Sequence, residues 1–200
     1  MNRDPNPKPT ADEALQRLKA GNERFVTGPV QFPRVQKDIL AELTKGQKPH
    51  ATLLGCSDSR VPPELIFDAG FGELFTVRVA GNVLSAGVAG SLQYAGRHLR
   101  TPLFVVMGHT HCGAVAAAVE AVLHGTRQHS RIQLLVDSIV PGLVELNPET
   151  ISDQAVEANV RWTMRQILES PLGLERELEE HVKLVGAIFE IETGRVRFLD

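Results

Sequence analysis

Three residues stand where their side chains could do chemistry together. Cys56 directly follows the apolar run Ala51–Gly55, and His109 and Cys112 directly follow the run Leu103–Gly108. They include both cysteines of the chain. Two thiols cannot build a disulfide scaffold, and in a reducing compartment such thiols are buried, metal-bound or catalytic. The spacing His109-x-x-Cys112 lets both side chains face one centre across a tight turn or a first helical turn. Two thiolates and an imidazole suit zinc. Three protein ligands leave a fourth position open for water or substrate, whereas a structural zinc site closes with four. The plainer reading is a loop histidine bonded to backbone beside two inert thiols. All three residues falling at the ends of apolar runs favours the metal.

Asp58 and Arg60 follow two and four residues after Cys56. A carboxylate this close to a metal has two roles open to it. It accepts a hydrogen bond from water at the centre, or it binds the metal itself and shuts the site. Arg60 can clamp Asp58 in a bidentate pair that keeps it ionised and oriented. The competing reading is a surface ion pair worth about 0–1 kcal/mol.

The elements that must position these residues are legible as well. Ala51–Gly55, Leu74–Val79 and Leu103–Gly108 are nearly continuous apolar runs, the pattern of strands buried on both faces of a parallel sheet. Helical stretches are expected near 62–68, 86–99 and 113–123. The alternation predicts an α/β fold: a mainly parallel sheet with flanking helices. Leu184–Ile191 continues through Glu192-Thr193-Gly194 into Arg195–Leu199, a hairpin adding an antiparallel edge strand. Ligands of open parallel sheets bind beyond the carboxyl ends of the strands. If the first and third strands are neighbours, Cys56, His109 and Cys112 meet there.

Upstream, Pro5, Pro7 and Pro9 mark an extended arm. Thr10 and Glu13 have the form of a capping box, which predicts a helix near 11–27 ended by Gly28-Pro29. A second amphipathic helix is expected from about Val35 to Leu43. These two N-terminal helices carry apolar stripes that a partner subunit could cover. The whole chain, 1–200, reads as one domain, with 1–45 as arm and helices and 46–200 as the α/β core. Glu175-Arg176-Glu177-Leu178-Glu179-Glu180 reads as a solvated helix face.

Composition narrows the function classes. A formal net charge of −3 over 200 residues argues against a dedicated nucleic-acid binder. No apolar run reaches the ~20 residues needed to cross a bilayer. The N-terminal residues lack the apolar core of a signal peptide, so a cytoplasmic location is expected. Gly55-Cys56-Ser57-Asp58-Ser59 only partly imitates a serine-hydrolase elbow, since the final glycine is missing. Gly70-Phe71-Gly72 precedes a strand and lacks the third glycine of a dinucleotide loop.

Cys56-Ser57-Asp58-Ser59-Arg60, paired with Gly108-His109-Thr110-His111-Cys112-Gly113, resembles the motifs of the β-class carbonic anhydrases. The paired motifs C-x-D-S-R and H-x-x-C are far more specific than either alone, and the resemblance covers roughly Gly46 to Ala118. It implies one zinc per chain on Cys56, His109 and Cys112, with Asp58 and Arg60 as the catalytic dyad. It further implies a substrate pocket formed by Gln47, Phe75, Ala80, Tyr94 and Gly113. The implied activity is reversible hydration of carbon dioxide to bicarbonate and a proton, by attack of a zinc-bound hydroxide. The alternatives are hydrolysis of carbon disulfide or carbonyl sulfide at the same site, or a non-catalytic zinc- or bicarbonate-binding module. The partners implied are CO2 and bicarbonate and a second copy of the chain, in a homodimer or dimer-based oligomer with swapped N-terminal helices. Neither nucleic acid nor membrane is expected. The branch with a regulatory bicarbonate pocket carries Trp three residues before the first zinc cysteine. Leu53 stands there, so no such pocket is implied. His111 is a candidate proton relay, because histidine titrates near neutral pH.

Overall fold

The computed structural model describes residues 8–30, 37–170 and 182–199. Its centre is a five-stranded sheet in the order β2-β1-β3-β4-β5. The strands are β1 (Ala51–Gly55), β2 (Leu74–Arg78), β3 (Leu103–His109), β4 (Lys183–Phe189) and β5 (Val196–Leu199). The first four run parallel, and β5 pairs antiparallel with β4. β1 and β3 are buried along their whole length, as their continuous apolar runs require. Edge strand β2 is only half-buried, and its expected last residue, Val79, lies just beyond it.

Alternate residues of the strands feed two cores. Leu53, Val105, Met107, Ala187 and Phe189 face one side, with α1 (Ala11–Thr27), α3 (Pro63–Ile66), α5 (Gly113–His124) and α6 (Ile132–Ile139). Leu54, Phe104, Val106 and Ile188 face the other, with α4 (Ala86–Arg97). Helix α7 (Ile151–Glu169) serves both, giving Ile151 and Ala155 to the first core and Val160 and Ile167 to the second. The expected segments near 62–68, 86–99 and 113–123 are thus α3, α4 and α5.

Helix α1 begins where the capping box predicts. Glu13 N–H donates to Thr10 Oγ1 at 3.2 Å, and Thr10 N–H donates to Glu13 Oε2 at 2.7 Å. Its apolar stripe is not left for a partner, which corrects the sequence-based expectation. Ala14, Leu15 and Leu18 are buried in the first core of the same chain. Asn22 Nδ2 donates to the carbonyls of Ile66 and Gly194, and its Oδ1 accepts Val196 N–H. Gly21 explains the closeness of the packing, since a Cβ there would stand 1.9 Å from the Phe67 carbonyl oxygen. The second N-terminal helix, α2, is observed over Lys37–Leu43. The acidic stretch 175–180 lies outside the described residues.

Candidate metal centre

The chain leaves β1 towards one sheet edge, forms β2, and returns to the other side of β1 as β3. The reversal opens a crevice at the carboxyl ends of β1 and β3, where ligands of such sheets bind. Cys56 is the first residue after β1, His109 is the last of β3, and Cys112 immediately precedes α5. One ligand atom from each lies within 4.8 Å of the other two, and all three residues are buried.

The local chemistry suits a cation. The two sulfurs are 4.0 Å apart and share a hydrogen bond. That bond pulls the Cys56 thiol well down and pushes Cys112 up, as expected when one proton holds two sulfurs together. Backbone N–H groups of Asp58 and Gly81 donate to Cys56 Sγ, each at 3.4 Å. Those of Ala114 and Val115 serve Cys112 at the start of α5, where the helix dipole also favours a thiolate. His109 Nδ1 is bonded to the Thr110 carbonyl at 2.8 Å, which fixes Nε2 as the free atom. Nε2 is buried and has no hydrogen-bond partner among the described residues. An orphaned imidazole nitrogen beside two sulfurs that share a proton is a donor set that zinc fits.

Asp58 stands beside this set, its Oδ2 3.9 Å from His109 Nε2. Arg60 holds it on three bonds: Nε to Oδ1 at 2.9 Å, a terminal nitrogen to Oδ2 at 2.7 Å, and the backbone N–H to Oδ1 at 2.9 Å. The guanidinium first, and the backbone N–H next, keep the carboxyl far below the ordinary carboxylate range. Arg60 is itself tied to the His111 carbonyl at 3.2 Å. Arg78 supports the loop from below, donating to the carbonyls of Cys56 and Asp58 at 2.9 and 2.6 Å. Seated on Arg60, Asp58 is not part of the ligand cluster.

The remaining sequence candidates divide. Ala80 adjoins Gly81, whose N–H reaches Cys56, and Gly113 follows Cys112. Phe75 pairs in register with Thr52, near the amino end of β1, and stacks at 6.1 Å on the exposed Tyr94. Gln47 precedes β1 and is exposed. Within one chain Phe75 and Tyr94 thus lie towards the amino end of the sheet, whereas the metal cluster sits at its carboxyl end. The His111 ring is exposed and bonded through Nε2 to Glu192. Sequence reasoning missed Arg78 as the support of the Cys56–Asp58 loop and missed α7 altogether.

The profile of the carbonic anhydrase family matches residues 51–196. The chain is 38% identical over 199 residues to carbonic anhydrase 2 of Mycobacterium tuberculosis, covering 98% of this chain and 95% of that protein. Among solved structures, a β-carbonic anhydrase of Aspergillus fumigatus superposes with a TM-score of 0.71 at 26% identity, over 94% of this chain and 90% of that one. The β-carbonic anhydrase of Coccomyxa, solved with acetazolamide, gives 0.70 at 25% identity, over 94% and 83%.

Proposed function

Because the chain belongs to the β-class carbonic anhydrases, we propose that it hydrates carbon dioxide reversibly to bicarbonate and a proton at a zinc held by Cys56, His109 and Cys112. The observation that carries this is the buried Cys-His-Cys cluster with an Arg-clamped carboxylate beside it. Zinc bound there supplies Lewis acidity, enough to bring the pKa of a coordinated water from about 16 to about 7.

The chain's own residues do the rest. Asp58, kept ionised by Arg60, can only accept a hydrogen bond. It takes the O–H of the attacking water and turns a lone pair towards the carbon of CO2. Arg60 fixes the angle of that carboxylate through its planar, two-point grip. Phe75, Ala80 and Tyr94 form a mostly apolar wall for a neutral linear molecule, Gln47 donates to a substrate oxygen, and Gly113 leaves room beside Cys112. Gln47, Phe75 and Tyr94 act across a homodimer interface, each chain completing the pocket of its partner. Two cysteines that form no disulfide and are kept as thiolates for a metal suit a reducing compartment, so the cytoplasm is the proposed location. Among the described residues no helix is long and apolar enough to cross a membrane. The chain acts as one domain.

The test compares two substrates on one zinc-loaded preparation. Stopped-flow CO2 hydration is expected to be fast and sulfide release from carbon disulfide slow or absent. Sulfide release without hydration would overturn the substrate assignment.

A further inference from the structure

Helix α7 reaches the metal cluster through one buried amide. Asn159 is 1% exposed, and its Nδ2 donates to the Gly81 carbonyl at 2.9 Å. The N–H of the same glycine donates to Cys56 Sγ at 3.4 Å. Gly81 has φ 68°, a left-handed conformation open to glycine. A Cβ there would meet Ile139 Cδ1 at 2.8 Å and Ala114 Cβ at 3.1 Å. The turn is therefore wedged between α5, α6 and α7, and Asn159 is its polar tether. Asn159 Oδ1 has no hydrogen-bond partner among the described residues. The amide is buried at a cost, and its donor goes to the residue that serves the sulfur.

We propose that Asn159 is a positioning residue for the metal centre: it fixes Gly81 so that the Gly81 N–H donates to the Cys56 sulfur, holding it as a thiolate aimed at the metal. The inference rests on the reading of Cys56 as a ligand. Groups that hydrogen-bond a ligating atom change metal affinity by about 10–100-fold when removed. One helical turn along α7, Thr163 Oγ1 donates to the Asn82 carbonyl at 3.3 Å. Thr163 thus steadies the same turn without bonding to Gly81, and it separates a positioning role from a purely structural one.

The experiment replaces zinc with cadmium-113 in the intact protein and records NMR spectra. A cadmium resonance in the range of sulfur-ligated sites tests the metal-site reading itself. A scalar coupling between that cadmium and the Gly81 amide proton, carried through the Cys56 sulfur, tests the inference. The coupling is expected in the native chain and is expected to vanish in Asn159→Ala. Competition with a chelator should show zinc bound about tenfold or more weakly in that variant. Thr163→Val should lower the melting temperature while keeping both coupling and affinity. Cadmium bound by the native chain without the coupling would overturn the proposal, and that result needs no variant to fold. So would an Asn159→Ala protein that melts earlier but keeps native coupling and affinity. A native chain that takes up neither metal would bring down the site reading together with the inference.

Discussion

Each residue of the centre has a separable duty. Cys56, His109 and Cys112 are the only donors that converge among the described residues, so Cys112→Ala should lose zinc and activity together. Arg60→Ala should behave differently. It removes the guanidinium that holds Asp58 down in pKa and fixed in angle. Metal content should stay near one zinc per chain, about that of the native protein, while kcat falls by about tenfold to a hundredfold. Metal analysis beside stopped-flow rates checks both. The ligands and dyad were legible in the sequence because each lies within a few residues of a strand end. The supporting roles of Arg78 and Asn159 were not. Both act on backbone atoms brought near by the fold, through bonds to Cys56, Asp58 and Gly81 that leave no local pattern.

Among the elements, α1 was readable because its start is a local event, the reciprocal bonding of Thr10 and Glu13. Helix α7 was not, because the buried polar residues Asn159 and Thr163 interrupt its apolar stripe. What α1 packs against also escaped the sequence, which offered a partner where the chain's own α3 and hairpin do the work. Gly21→Ala tests that packing. Its Cβ would press on backbone, not on a side chain that can move. The variant should lose about 1–3 kcal/mol of stability, with faster hydrogen exchange in α1.

At the entry to β1, His50 gives a test in pH. It is 7% exposed, its Nε2 has no hydrogen-bond partner among the described residues, and burial lowers its pKa from 6.5. The unfolded chain therefore takes up a proton at pH values where the folded one does not. The contribution of His50 to stability is fully present above pH 6.5 and is lost as pH falls from 6.5 towards the lowered folded value. In denaturant melts of the native protein and His50→Gln between pH 7.5 and pH 5, a range chosen to span roughly one unit or more each side of the histidine pKa, the native protein should lose stability relative to the variant towards the acid end. Parallel curves would contradict the assignment.

For the whole molecule, the family and the mainly parallel sheet with its antiparallel edge followed from the motifs and apolar runs, while the strand order came only from the fold. How many chains make one complete site did not follow from them either. Within one chain Phe75 and Tyr94 lie towards the amino end of the sheet, away from the metal cluster. If a second chain brings them to it, sedimentation should find a dimer or a multiple of it at assay concentrations. A fully active monomer would contradict the shared pocket. Zinc removal should also lower the melting temperature, and zinc added back should restore it. Binding at a thousand times Kd stabilises the folded state by about 4 kcal/mol.

The most direct test of zinc-dependent hydration assisted by Asp58 is stopped-flow CO2 hydration on the native protein and Asp58→Ala, with zinc measured on the same samples. About one zinc per chain is expected in both, with fast hydration in the native protein and a rate lower by about a hundredfold or more in the variant. A zinc-loaded native protein that does not hydrate CO2, or an Asp58→Ala protein as fast as the native, would contradict it.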